Sequence, residues 1–133
     1  MQNPDNLEVY RRSMALAVCI HRLARRVPSR ELPGMAGQIR RAAASIPANI
    51  AEGAGSDSPL VFARHLGIAI GSAFELETHL VLATQLVDRL TDISSILEET
   101  RALRRMMYRL RVYQLGKDGD NELRKRPGEP VEG

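Results

Sequence analysis

The residues with chemical capacity gather on two predicted helices. Gln38, Arg41, Ser45, Asn49 and Glu52 recur at steps of three or four, which lines them along one helix face. Ser72, Glu75 and His79 repeat that spacing further along the chain. Two chemistries suit the set. Glu52, Glu75 and His79, with His21, could make a buried acid–base or metal cluster. Alternatively Arg41 meets Glu75 or Glu52, while Ser45 and Asn49 satisfy backbone groups freed by Pro47, a residue that has no N–H to donate. Helix-bundle di-metal sites use paired Glu-x-x-His motifs. Here Glu75 and His79 stand four apart and no second pair exists. The spacing therefore favours a structural polar network, with no metal and no other cofactor.

Nucleophilic catalysis has no better footing. Cys19 falls mid-helix among apolar neighbours, where a thiol behaves as a small hydrophobe. Ser45 and Ser72 have no adjacent histidine and no strand–turn–helix elbow. The glycine-bearing stretch "EGAGSDS" lacks the lysine and the preceding strand of a phosphate loop. No catalytic residue can be assigned, and the chain is expected not to be an enzyme.

The arginines point elsewhere. Arg11, Arg22, Arg25 and Arg26 crowd the first predicted helix, and Arg101, Arg104, Arg105, Arg109 and Arg111 crowd the last. Arg101, Arg105 and Arg109 stand at i+4 steps on one face. A planar guanidinium matches a phosphate in bidentate fashion, so these nine are the candidate contacts for RNA or DNA. The plainer reading is a solvated charged face. Symmetry in an oligomer would repeat either row into a belt, which strengthens the nucleic-acid reading.

The elements that position these groups follow from composition and punctuation. The 133 residues suit one domain with a real core. Of these, 44% are hydrophobic and only 4% aromatic, so aliphatic residues and alanine must supply the packing. That favours helices over a sandwich or barrel. The formal charge is +3, and the single cysteine excludes an internal disulfide. The N-terminus lacks the pattern of a signal peptide, and no apolar run approaches the roughly 20 residues of a membrane span. A soluble, cytoplasmic protein with no membrane partner is expected.

Four helices are predicted. Asp5 or Asn6 caps the first, which runs to about Val27 with Leu16, Ile20, Leu23 and Val27 in one stripe and Tyr10, Met14, Ala17 and His21 in another. The second begins near Pro33 and ends at Gly53 to Gly55, bent at Pro47. The third is capped by Ser58 with Pro59 behind it and continues to about Val87. After the turn "DRLTD" the fourth runs from about Asp92 to Leu115. Residues 1–115 thus form an all-α, antiparallel up-down four-helix bundle. Residues 116–133 form a Gly-, Pro- and charge-rich tail expected to be disordered.

The third helix is unusual. Phe62, Leu66, Ala69, Ile70, Ala73, Leu76, Leu80, Ala83 and Val87 cover one broad face, Ile68, Leu82 and Leu86 another, and Phe74 and Val81 a third. A helix apolar nearly all round is buried nearly all round, yet a lone four-helix bundle wets one side of every helix. A second copy of the chain is the simplest cover.

The stretches "GMAGQIRRAAASIPANIAEGAG" and "FARHLGIAIGSAFELETHLVLATQL" resemble a bacterial family of four-helix bundles, first met as reading frames in intervening sequences of large-subunit ribosomal RNA genes. The match is dense over residues 34–87 and looser through "RRMMYRL". The first helix departs from the pattern, because it lacks the tryptophan common there and carries Tyr10 as its only aromatic. That family looks related to the accessory variability determinant proteins of diversity-generating retroelements. The resemblance implies an up-down four-helix bundle assembled as a homopentamer and brings no catalytic residues; for the retroelement relatives it implies a basic barrel that binds RNA or DNA and a reverse transcriptase. Two functions then compete. One is a non-enzymatic oligomeric scaffold binding nucleic acid, and the other a protein–protein interaction module whose arginines only keep it soluble.

Overall fold

Local chemistry sets most of the element boundaries. A computed structural model describes residues 3, 4, 7–87, 90 and 93–125, and these form α1 (Glu8–Ala24), α2 (Met35–Ala54), α3 (Pro59–Leu86) and α4 (Ser94–Lys125). No strand occurs among the described residues. The Ser58 hydroxyl accepts the Val61 N–H at 3.2 Å and Pro59 opens α3, as the cap pattern predicts. Leu7, with no side-chain cap bond, precedes α1; Asp5 and Asn6 lie outside the described residues.

Other boundaries shift from expectation. α1 ends at Ala24 because the N–H groups of Arg25, Arg26 and Val27 turn back to carbonyls three residues earlier, which tightens the last turn. α2 begins only after Gly34, whose φ of 76° is a left-handed conformation that favours glycine. Pro33 therefore precedes the helix. The turn at "DRLTD" falls largely outside the described residues. α4 does not stop at Leu115 but continues to Lys125, so the part of the expected tail before residue 126 is helical. Within that extension Lys117 lies over the Tyr113 ring at 5.2 Å, an i,i+4 contact that supports the helix.

Each helix packs on its chain neighbours, and α1 closes the ring on α4 by the lightest seam. Among the described residues no Cα atoms of the diagonal helix pairs come within 8 Å of each other. Ile20, Ile39, Ile46, Ile50, Leu66, Leu76, Leu80, Leu103 and Met107 are essentially inaccessible at the centre. The "SIPANIAEG" segment gains its purpose at Gly53, where a Cβ would meet Phe62 Cδ2 at 2.7 Å and His65 Cβ at 2.8 Å. Only a bare α-carbon lets α2 and α3 approach so closely there. Ala42 and Ala43 serve the same closeness, whereas Ala44 and Ala48 remain exposed.

α3 leaves an apolar surface uncovered. Leu60, Ile68, Phe74, Val81, Leu82 and Leu86 are all exposed, with Leu86 at 57%. By length and mean hydropathy (1.3) α3 meets the measure of a membrane-spanning helix, with 39% of that stretch buried. That corrects the expectation that no apolar run comes near such a span. Arg64, Glu75 and Glu77 interrupt the helix, and its inner side is the centre of the bundle.

Candidate nucleic-acid interface

The predicted polar stripe assembles in the α2–α3 seam, with a changed membership. Ser72 Oγ donates to the Ile68 carbonyl at 3.1 Å, so the 2.8 Å contact between Ser45 Oγ and Ser72 Oγ is donated by Ser45. Asn49 Nδ2 donates to the Ser45 carbonyl at 2.8 Å and to Ser45 Oγ at 3.1 Å. His65 Nδ1, facing the Asn49 side-chain Oδ1 at 3.2 Å, must be the donor there. The result is one directional chain, His65 to Asn49 to Ser45 to Ser72 to Ile68, in which every hydroxyl proton has an acceptor.

Several expectations are corrected. Arg41 is exposed, lies back over Gly37 and has no ion pair with Glu52 or Glu75. Asn49 satisfies the Ser45 carbonyl and not that of Ala43, the group Pro47 deprives of a donor four residues on. Glu75 instead faces His79 at 3.3 Å, and Glu52 lies 4.0 Å from His65. His21 bonds the Ala17 carbonyl at 2.9 Å. No group of three His, Cys, Asp or Glu side chains gathers among the described residues. His65 was missing from the sequence reading, although its seven-residue steps to Ser72 and His79 put all three on one face.

The arginines divide between opposite seams. Arg22 and Arg25 border a groove of ≈ 570 Å³ between α1 and α2, floored by Ala44, Pro47 and Ala48 and flanked by Met14 and Val18. Arg11 and Arg26 already have interactions within the chain. On the other side, Arg104, Arg105, Arg109 and Arg111 surround a groove of ≈ 670 Å³ between α3 and α4. No continuous belt forms within one chain.

The α4 row is not uniform. Arg101 Nε donates to Glu77 Oε1 at 2.6 Å, and Arg104 Nη2 lies 3.5 Å from Glu77 Oε2. Glu77 is 17% exposed, so this carboxylate fixes the two guanidinium groups from a largely buried position. Arg104 also stacks over Phe74, 4.2 Å from its centroid. Arg111 lies beside Gly67, with its Nε at ordinary contact distance from where a Cβ would stand. The Nε atoms of Arg104 and Arg111 are buried without hydrogen-bond partners. Arg105 and Arg109 have no ion pair among the described residues and face solvent.

Two aromatic rings belong to this groove and were not in the sequence-derived set. Tyr108 is 58% exposed and Phe74 50%. Arg104, Tyr108 and Arg111 stand at i, i+4 and i+7, a row legible in the sequence beside that of Arg101, Arg105 and Arg109. A further residue, Arg12, is occupied elsewhere: it grips Glu99 across the α1–α4 seam, which lowers the Glu99 carboxyl below its ordinary range through that hydrogen bond.

The molecule is thus an all-α four-helix bundle, polar in one inner seam and cationic along an outer one. It belongs to the 23S rRNA-intervening sequence protein family, whose pattern it matches over residues 5–109. No curated protein matches the chain.

Proposed function

We propose that the protein is a non-enzymatic, homo-oligomeric scaffold that binds nucleic acid through its arginine faces. The observation that carries this reading is the α3–α4 groove, where Arg105 and Arg109 are unpaired among the described residues and Arg104 is held by Glu77 and Phe74. Charge already neutralised inside the chain, as at Arg12 and Arg101, adds little; charge left open can displace counterions from phosphates. The origin of the family in ribosomal RNA intervening sequences fits such a partner.

Self-association rests on the uncovered side of α3, chiefly Ile68, Leu82 and Leu86. Pairings such as Asn49 with His65 and Gly53 with Phe62, and Gly67 with Arg111 and Glu77 with Arg101, run in opposite chain directions, which supports an antiparallel up-down course. A cyclic pentamer follows from the family resemblance. A relation to retroelement accessory proteins, which the resemblance implies, would make a reverse transcriptase the protein partner, in the cytoplasm.

Affinity for a fluorescent structured RNA, measured against salt concentration, tests the reading. The logarithmic slope should be steep, and Arg105→Gln with Arg109→Gln should flatten it by roughly 1.5 to 2. Absence of binding at low salt removes the proposal. The apolar α1–α2 groove favours the second reading, a protein-interaction module; nuclease-insensitive capture of one protein partner, with no RNA affinity, would support it.

A further inference from the structure

The α3–α4 groove combines features that duplex binding does not require. A phosphate ladder is met by cations alone, whereas this groove sets exposed rings among them. Tyr108 projects from α4 between Arg105 and Arg109 in sequence, and Phe74 faces the groove from α3 with its ring against the Arg104 guanidinium. Exposed aromatic rings are costly to leave in water. Each gives a stacking surface to an unpaired base, which has two free π-faces, and neither is of use to a base enclosed in a duplex. Gly67 and Arg111 line the groove beside these rings.

Resting on the nucleic-acid reading above, we propose that the α3–α4 groove is a single-strand site: Tyr108 and Phe74 stack unpaired bases while Arg105 and Arg109 follow the phosphates. Ile68, Leu82 and Leu86 do not line this groove, although Leu82 shares a neighbouring hollow with Phe74. Glu77 sets the selectivity of the arrangement. By tying Arg101 and steering Arg104 onto Phe74, it leaves the outer arginines for phosphate and the inner one for supporting the ring.

The test compares a fluorescein-labelled oligothymidylate of about 15 nucleotides with a duplex of the same length, by anisotropy at one fixed ionic strength. The single strand should bind about tenfold tighter. Tyr108→Ala should weaken single-strand binding about tenfold without changing its salt slope, whereas Tyr108→Phe should bind like the parent. The chain has no tryptophan and three tyrosines, so its intrinsic emission is tyrosine emission. Oligothymidylate should quench it in the parent, and in Tyr108→Phe the quenching should fall although binding persists. Equal affinity for the two forms, or full single-strand affinity in Tyr108→Ala, overturns the single-strand site and leaves nucleic-acid binding standing. Absence of binding to either form at low salt removes both.

Discussion

Arg12 of α1 holds Glu99 of α4 with both arms, Nε on Oε1 and Nη2 on Oε2, each at 2.8 Å. It ties the lightest seam of the bundle. The side chains are about one-third exposed, so the pair contributes about 1 kcal/mol or less. The hydrogen bond from Arg12 lowers the Glu99 carboxyl in the folded state. Its stabilisation is therefore complete above the ordinary carboxyl value of 4.5 and fades as pH falls through the lower, folded value. Glu99→Gln should lower the melting temperature at pH 7 by a few degrees and converge with the parent in strong acid. Parallel pH–melting curves would contradict this.

Gly53→Ala should destabilise the fold by about 1–3 kcal/mol, the usual cost of overpacking. The added methyl meets Phe62 and the Cβ of His65, neither of which can swing away without moving α3. Gly71→Ala, with open space around it, supplies the control. Urea unfolding of the two variants measures the difference.

Asn49→Leu removes three hydrogen bonds at once; it strands His65 Nδ1 and takes a donor from the Ser45 hydroxyl oxygen, whose own proton still reaches Ser72. A buried group left unpaired costs about 1–3 kcal/mol. Pro47→Ala loses some packing but returns an N–H to the helix, so its thermal shift should be smaller. A larger shift for Pro47→Ala would argue that the seam is held by the pyrrolidine ring and not by the amide.

Leu82→Glu and Leu86→Glu should leave helicity by circular dichroism intact, since both positions are exposed in the single chain. Sedimentation velocity should nevertheless show a lighter species than the parent. Unchanged mass would mean that another part of the surface mediates assembly.

Much of the bundle was legible because its signals are local. Ser58–Pro59 fixes the start of α3, and the 3.6-residue recurrence of Leu66, Ala69, Ala73, Leu76 and Leu80 fixes its buried side. The polar seam was half legible. Ser45, Asn49 and Ser72 share faces by spacing, but partner choice depends on the register between helices. Arg41 and Glu75 were joined on charge alone; the register brings Ser45 to Ser72, and Glu75 turns to His79. Arg12–Glu99 and Glu77–Arg101 span long sequence separations and have no local signature at all. The end of α4 was misplaced because Gly116 and Gly119 resemble stop signals, yet glycine costs a helix only about 1 kcal/mol.

The hydropathy of α3 also has a consequence for biosynthesis. α2 is made before it, but the helix that covers its other inner flank, α4, is made afterwards. At ordinary translation speeds that interval lasts on the order of seconds. During it, a strongly apolar 28-residue segment waits on the ribosome half shielded. Yield in a heterologous host should therefore depend on chaperone supply more than the small size of the chain suggests.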